Sequence, residues 1–453
     1  MTATARLTDI IERSVSLEQG EIDRRIFSDP DIFELEMDLI FGRSWLFLCH
    51  ESQIPKRGDF VEAPMGRDNV LVVRQRDGSI KALLNTCSHR GNAVCRAEQG
   101  NVRNFMCTYH GWTYDLDGAL IGVPGRAQFY GDDLDVTKHP LKSVAQLDTY
   151  EGFVFATFDA SAPPLYDFLG TTGRLGLDLL ALQGDMEAVP GVQKFVIDAN
   201  WKFAVDNLFD FYHPQITHMS AMMAWLGGVT VGKKNKDENG ARTSDGKDLA
   251  IDWKPQDLSN LVVLGEYGHA IAGPPVELKP DFPGLDRSFV YSQPYKERLG
   301  RVGARVAGNA NIFPTAWISP TTTQISLRIP RSATQTEIWW LSFADRNMSA
   351  EERKVLVRLQ NQSFGPAGML EQEDGENWAQ STMQTHGHAS RTVPQLLKMG
   401  TGRGKINTDD GLRWIEASTN EHGQLWTYAS WKQWMLGWDW NELYDHTTPG
   451  DYI

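Results

Sequence analysis

Cys87-Ser88-His89-Arg90-Gly91 and, after a gap of 17 residues from His89, Cys107-Thr108-Tyr109-His110-Gly111-Trp112-Thr113-Tyr114 decide the reading of this chain. Each stretch offers one thiolate and one imidazole, and each borders a hairpin pattern. Asn69 to Arg76 and Ser79 to Leu84 read as strands around Asp77-Gly78, and the second cluster runs into a strand, Asp117-Gly118 and Ala119-Leu120. Asp-Gly between such runs is a tight-turn signal. Two β-ribbons then present two ligand loops that can clamp a cofactor from both sides and leave the histidine edge near solvent.

Two Cys and two His in paired loops are the ligand set of a Rieske [2Fe–2S] centre, in which two His replace two Cys on one iron and raise its potential. Structural zinc is the competing use of mixed ligands, but Cys-x-His departs from the usual knuckle spacing. Cys49 and Cys95 are left over and read as buried or half-buried thiols. The 453 residues are too many for an electron carrier alone, given about 100–200 residues per domain. Four cysteines argue for a reducing compartment. No run of about 18 apolar residues occurs and Met1 to Ser14 has no apolar core, so a soluble cytoplasmic chain with no membrane partner is expected. The net charge of -14 argues against a nucleic-acid partner.

A second constellation spans Asn200 to His218. Asn207, Asp210 and His213 recur at i, i+3, i+6, which predicts a shared helical face. His218 would lie about 140° around a regular helix from His213, so both imidazoles reach one metal only across a break. Pro214 is the expected breaker, because it disfavours helical geometry in the residue before it. Two His with one carboxylate form the facial triad of non-haem Fe(II) oxygenases. The carboxylate comes from further on. Ser349-Ala350-Glu351-Glu352 opens a helix with a capping box that should end at Gly365-Pro366. Beyond it Glu371, Glu373, Asp374 and Glu376 fall within six positions, and spacing alone does not choose among them.

Taken together, these motifs resemble the large (α) subunit of Rieske non-haem iron aromatic-ring-hydroxylating dioxygenases of the naphthalene, biphenyl and phenylpropionate type, from about Ile26 to the C-terminal region. The matching motifs are Cys-x-His-Arg-Gly at Cys87, Cys-x-Tyr-His-Gly-Trp-x-Tyr at Cys107, Asp-x-Tyr-His-x4-His at Asp210, and Phe-Gly-Pro-Ala-Gly with Glu-x-x-Asp at Phe364 to Asp374. The resemblance implies that Cys87 and Cys107 hold one iron of the cluster and His89 and His110 the other. It likewise gives His213, His218 and Asp374 to a mononuclear iron. Asp210 then becomes a catalytic bridge from His213 to the cluster histidine of a neighbouring subunit, which implies an α3 ring, usually α3β3 with small β subunits.

The resemblance also implies an α+β fold: an all-β Rieske domain at 40–158, inserted into or preceding a helix-grip catalytic domain at 159–453, with a helical segment at 1–39 packed on the latter. Gln193–Ile197, Thr323–Ile329 and Thr336–Phe343 read as strands of that domain's antiparallel sheet. Lys233 to Gly240 reads as a surface loop. In many relatives of the polycyclic and biphenyl type three residues separate the bridging Asp from the preceding Asn or Gln, whereas only Leu208 and Phe209 do so here. Asn207 is a candidate catalytic residue and, with Pro214, Phe364 and Leu370, a candidate wall of the pocket.

The expected activity is cis-dihydroxylation of an aromatic hydrocarbon or acid with O2. Electrons would pass from NAD(P)H through a reductase and ferredoxin, with Arg96, Arg103 and Arg126 as a local basic docking patch. Monohydroxylation of an aromatic acid such as salicylate, and a non-catalytic electron-transfer protein, are the competing readings.

Overall fold

The computed structural model describes residues 3–221, 259–278, 288–402 and 405–450, so the Lys233-to-Gly240 stretch lies outside the described residues. Strand β1 (Leu46–His50) is followed by β2 (Asp59–Met65), β3 (Asp68–Arg74), β4 (Ile80–Leu84) and β5 (Gln99–Asn101). Short strands β6 (Phe105–Met106), β7 (Thr113–Tyr114) and β8 (Leu120–Gly122) come next, then β9 (Gln146–Tyr150) and β10 (Phe153–Thr157). They form three antiparallel sheets in the orders β4-β3-β2-β5, β8-β7-β6 and β9-β10-β1.

The β3–β4 hairpin turns where Asp77-Gly78 predicts it. Gly78 takes φ +89°, and the Asp77 carboxylate accepts from the Ser79 N–H at 3.0 Å. Strand β3 is buried on both faces. Its alternation divides two cores: Val70 and Val72 face the large core of the chain, while Leu71 and Val73 face a smaller one that encloses Cys87, Cys107, Trp112 and Tyr114.

The larger part is one ten-stranded sheet. Its strands are β11 (Met186–Ala188), β12 (Gln193–Ile197), β13 (Asn260–Leu264), β14 (Ala270–Gly273), β15 (Asn309–Ile312), β16 (Ala316–Ser319), β17 (Gln324–Ser332), β18 (Gln335–Asp345), β19 (Asn407–Asp409) and β20 (Leu412–Ala417). Their order is β11-β18-β17-β16-β15-β14-β13-β20-β19, with β12 also paired to β18. The three strands expected from sequence fall within β12, β17 and β18, apart from Thr323.

Helices α1 (Leu165–Ala181), α2 (Trp201–Asp206), α4 (Ala350–Ser363) and α6 (His422–Met435) pack on this sheet, α3 (Pro214–Thr217) is a single turn, and α5 (Met369–Gln384) packs against α2 and α4. The capping box of α4 forms: the Ser349 hydroxyl accepts from the Glu352 N–H and the Glu352 carboxylate accepts from the Ser349 N–H. In β17, Leu327 and Ile329 face Trp45 and Phe47, while Arg328 points the other way, to Glu371 of α5.

The segment before β1 is tied to these helices by a buried knot. The Glu36 carboxylate takes the Lys202 ammonium at 2.5 Å, the Trp431 indole at 2.7 Å and the Trp201 indole at 2.9 Å. Phe27 stacks on Phe203 at 4.1 Å. Among the described residues no helix is long and apolar enough to cross a membrane.

Candidate functional site

The site is built where a helix fails. Asn200 caps α2 by accepting from the Lys202 N–H at 3.0 Å, and α2 gives way after Asp206 to a 3-10 turn over Asn207–Phe209. Asp210 is extended, with φ -85° and ψ 100°. The single helical face expected for Asn207, Asp210 and His213 is therefore not formed. The Asp210 carboxylate instead accepts from the N–H groups of Tyr212 (2.7 Å) and His213 (3.2 Å), a local bond that competes with the helical ladder.

Pro214 is not the breaker. His213 keeps helical angles, and Pro214 takes the first position of α3, where its missing N–H has no helical partner to lose. His213 and His218 flank this single turn, and their Nε2 atoms approach to 3.2 Å.

Helix α5 supplies the third corner. Asp374 is 4 % exposed, and its Oδ1 lies 3.3 Å from the Nε2 of both His213 and His218, with no hydrogen-bond partner among the described residues. Two ligands at right angles, each about 2.1 Å from a first-row metal, stand about 3 Å apart. Three donor atoms at 3.2–3.3 Å thus fit one ion.

Behind each imidazole stands a carboxylate: His213 Nδ1 is 3.4 Å from Asp210 Oδ2, and His218 Nδ1 is 3.0 Å from Glu373 Oε2. The other Glu373 oxygen accepts from the Ser220 hydroxyl. Burial alone lowers the His213 pKa, but the neighbouring Asp210 and Asp374 carboxylates raise it to about 9. Burial alone would raise Asp210, yet the adjacent His213 ring and its charge, with the two N–H bonds, hold it below the ordinary carboxylate range.

The four acids that spacing left open take four different parts. Asp374 joins the triad, Glu373 backs His218, Glu371 is buried against Arg328 at 2.7 Å, and Glu376 is exposed and accepts from Gln380. Asn207, Pro214 and Leu370 are half-buried. Phe364 stacks on Trp340 with centroids 4.7 Å apart. Sequence reasoning missed the Glu373 contact and Arg328; the available signal for the latter was a lone arginine inside the apolar run Ile325 to Ile329.

The second site lies in the smaller core. Its two loops close in the same way. Gly91 N–H donates to the Cys87 carbonyl and Gly111 N–H to the Cys107 carbonyl, both at 2.9 Å. Cys87 N–H donates to Asn92 O and Cys107 N–H to Trp112 O. Both turns need a glycine, at φ +72° and +73°.

Cys87 and Cys107 are buried, whereas His89 and His110 are half-buried at the rim. His89 stacks on Trp112 at 4.7 Å, meets the His110 ring edge-on at 4.6 Å, and has a buried Nδ1 without a partner. Burial raises the Cys107 thiol, but the Tyr109 N–H, the Asn92 side chain, Cys87 and the His110 N–H outweigh it and pull the pKa below its ordinary value. The Tyr114 hydroxyl lies 3.2 Å from Cys87 Sγ. Thiols inside and unpaired imidazole nitrogen at the rim suit a Cys2His2 iron–sulfur cluster.

Comparison with known proteins agrees with both geometries. Residues 44–150 match the Rieske [2Fe-2S] domain family, and residues 185–399 match the family described as ring hydroxylating alpha subunit (catalytic domain). The chain is 36 % identical over 440 residues to the biphenyl 2,3-dioxygenase subunit alpha of Rhodococcus jostii, covering 95 % of this chain and 92 % of that protein. It is 34 % identical to the benzene 1,2-dioxygenase subunit alpha of Pseudomonas putida, with 96 % of each chain covered. A solved naphthalene 1,2-dioxygenase with indole in its active site superposes with a TM-score of 0.80 at 29 % identity, again over 96 % of each chain. This chain belongs to the alpha subunits of the Rieske non-haem iron ring-hydroxylating dioxygenases, whose cofactors are a [2Fe–2S] cluster and a mononuclear iron.

Proposed function

We propose that the chain is the terminal oxygenase subunit that adds both atoms of O2 to an aromatic ring, taking up two electrons and two protons to give a cis-dihydrodiol. The observation that carries this reading is the convergence of His213 Nε2, His218 Nε2 and Asp374 Oδ1 on one point. These three residues would hold the mononuclear iron, and Cys87, Cys107, His89 and His110 the cluster. When bound, the iron activates dioxygen and the cluster supplies electrons one at a time.

The surrounding residues prepare that chemistry. Glu373 holds the Nδ1 proton of His218, and Asp210 stands behind Nδ1 of His213, which favours the tautomer that turns each Nε2 lone pair inward. Three protein ligands on one side leave the opposite side open to substrate and oxygen. Asp210 keeps a third of its side chain exposed, enough to accept from His110 of the partner subunit in an α3 ring, with or without β subunits. Asn207 and Pro214, beside the triad in sequence, with Phe364 and Leu370, are proposed pocket residues.

A ferredoxin or reductase fed by NAD(P)H would deliver electrons at the rim of the cluster; Arg96, Arg103 and Arg126, near the ligand loops in sequence, are exposed and are the proposed docking residues. The proposed domain limits are 1–39, 40–158 and 159–453, in a cytoplasmic protein. The catalytic domain matched over 185–399 speaks against a pure electron carrier.

A single turnover of the reduced, iron-loaded protein under 18O2 with a panel of arenes and aromatic acids tests the reaction. Two labelled atoms in one cis-diol are expected. One labelled atom in a phenol contradicts dioxygenation.

A further inference from the structure

On the sheet face covered by α5, Arg328 is fully buried. Its Nη1 donates to Glu371 Oε1 at 2.7 Å, and among the described residues no acceptor reaches Nε or Nη2. Those two nitrogens form one complete edge of the guanidinium, a pair of parallel N–H groups that matches the two oxygens of a carboxylate. Trp317, Trp340 and Trp378 surround the cation at 4.6, 5.2 and 5.5 Å from Cζ to ring centroid, and the indole N–H of each also lacks an acceptor.

The chain shows elsewhere what a satisfied buried pair looks like. At Glu36 both carboxylate oxygens are taken, by Lys202 and two indoles. Around Arg328 the opposite holds, for donors are gathered and acceptors are missing. Buried polar groups without partners call for an occupant. The place is also the right one: Glu371, Asp374 and Trp378 recur at i, i+3 and i+7 along α5, so Arg328 lies under the helix face that carries Asp374 to the two histidines.

Resting on the ring-hydroxylating reading above, we propose that Arg328 binds the carboxylate of an aromatic acid substrate. The free Nε–Nη2 edge takes both oxygens, and the indoles hold the arene so that its ring faces the triad. A neutral arene leaves that edge unpaired, so the site favours acids over hydrocarbons. Because the cation is closed off in the ligand-free fold, entry of the acid displaces an indole, and tryptophan emission reports it.

The test titrates iron-loaded holoenzyme anaerobically with benzoate, 4-methylbenzoate and 3-phenylpropanoate, and with benzene, toluene and ethylbenzene. Binding is read by calorimetry and tryptophan fluorescence, and turnover is measured separately. The acids should bind and change the emission. Arg328→Gln should weaken their binding by at least about 30-fold with iron content unchanged. Arg328→Gln/Glu371→Gln is run alongside, since it leaves no buried charge alone.

Binding of the neutral arenes with no binding of acids by the wild-type protein overturns the proposal, as does equal acid affinity in the double variant. Those outcomes leave the ring-hydroxylating reading intact. That reading fails separately if a fully metal-loaded enzyme oxidises neither class.

Discussion

His213 and His218 carry the same chemistry from opposite ends of one helical turn, yet their rear carboxylates differ. Asp210 stands off at 3.4 Å and is partly exposed, whereas Glu373 is close at 3.0 Å and is itself fixed by Ser220. Glu373→Gln should therefore weaken iron retention about 10–100-fold, as loss of such an outer partner does, measured as iron per protomer after dialysis against chelator. Asp210→Asn should keep both iron centres and lose turnover. Near-normal turnover in that variant would exclude Asp210 as the link between centres. At the cluster, Tyr114→Phe removes the hydroxyl beside Cys87 Sγ and should lower the reduction potential in an EPR redox titration, since hydrogen bonds to cluster sulfur stabilise its reduced form.

At the level of elements, what was legible in the sequence was local. Asp77-Gly78, the Ser349 capping box and the strand runs of β12, β17 and β18 each state their structure within a few residues, and each formed. The unbroken helical face through Asp210 did not form, because a side chain bonding its own backbone wins where no packing supports the helix. The choice among Glu371, Glu373, Asp374 and Glu376 was illegible because it depends on partners that lie far away in sequence, Arg328 and His218 among them. The same long-range logic joins α2 to the N-terminal segment. Glu36→Gln would leave Lys202 charged and unpaired in the core, so a loss of about 3–5 kcal/mol in a denaturant melt is expected.

For the whole molecule, the proposed electron path between subunits makes a strong demand. Chains carrying Cys107→Ser lack the cluster and chains carrying Asp210→Asn lack the link, so each is inactive alone. Co-assembled one to one, about a quarter of neighbouring pairs in a ring combine an intact cluster with an intact link, and that share of turnover should return. No recovery would place the path within one chain. Stability should also depend on pH through Asp178 of α1. Burial outweighs its Tyr150 and Arg298 contacts and raises its pKa to about 6. The folded chain then holds this proton more tightly than the unfolded chain, whose Asp titrates near about 3.9. This contribution is present at about pH 4 and is lost as pH rises towards about 6. Asp178→Asn should match wild type at pH 4 and exceed it at pH 7 by roughly 3 kcal/mol at most, read from urea melts at both values. Finally, the loops around Cys87 and Cys107 are closed by their own main chain, each cysteine carbonyl tied to the glycine four residues on. Each thiolate is thus seated by backbone rather than by side-chain packing, and its position is written in two glycines.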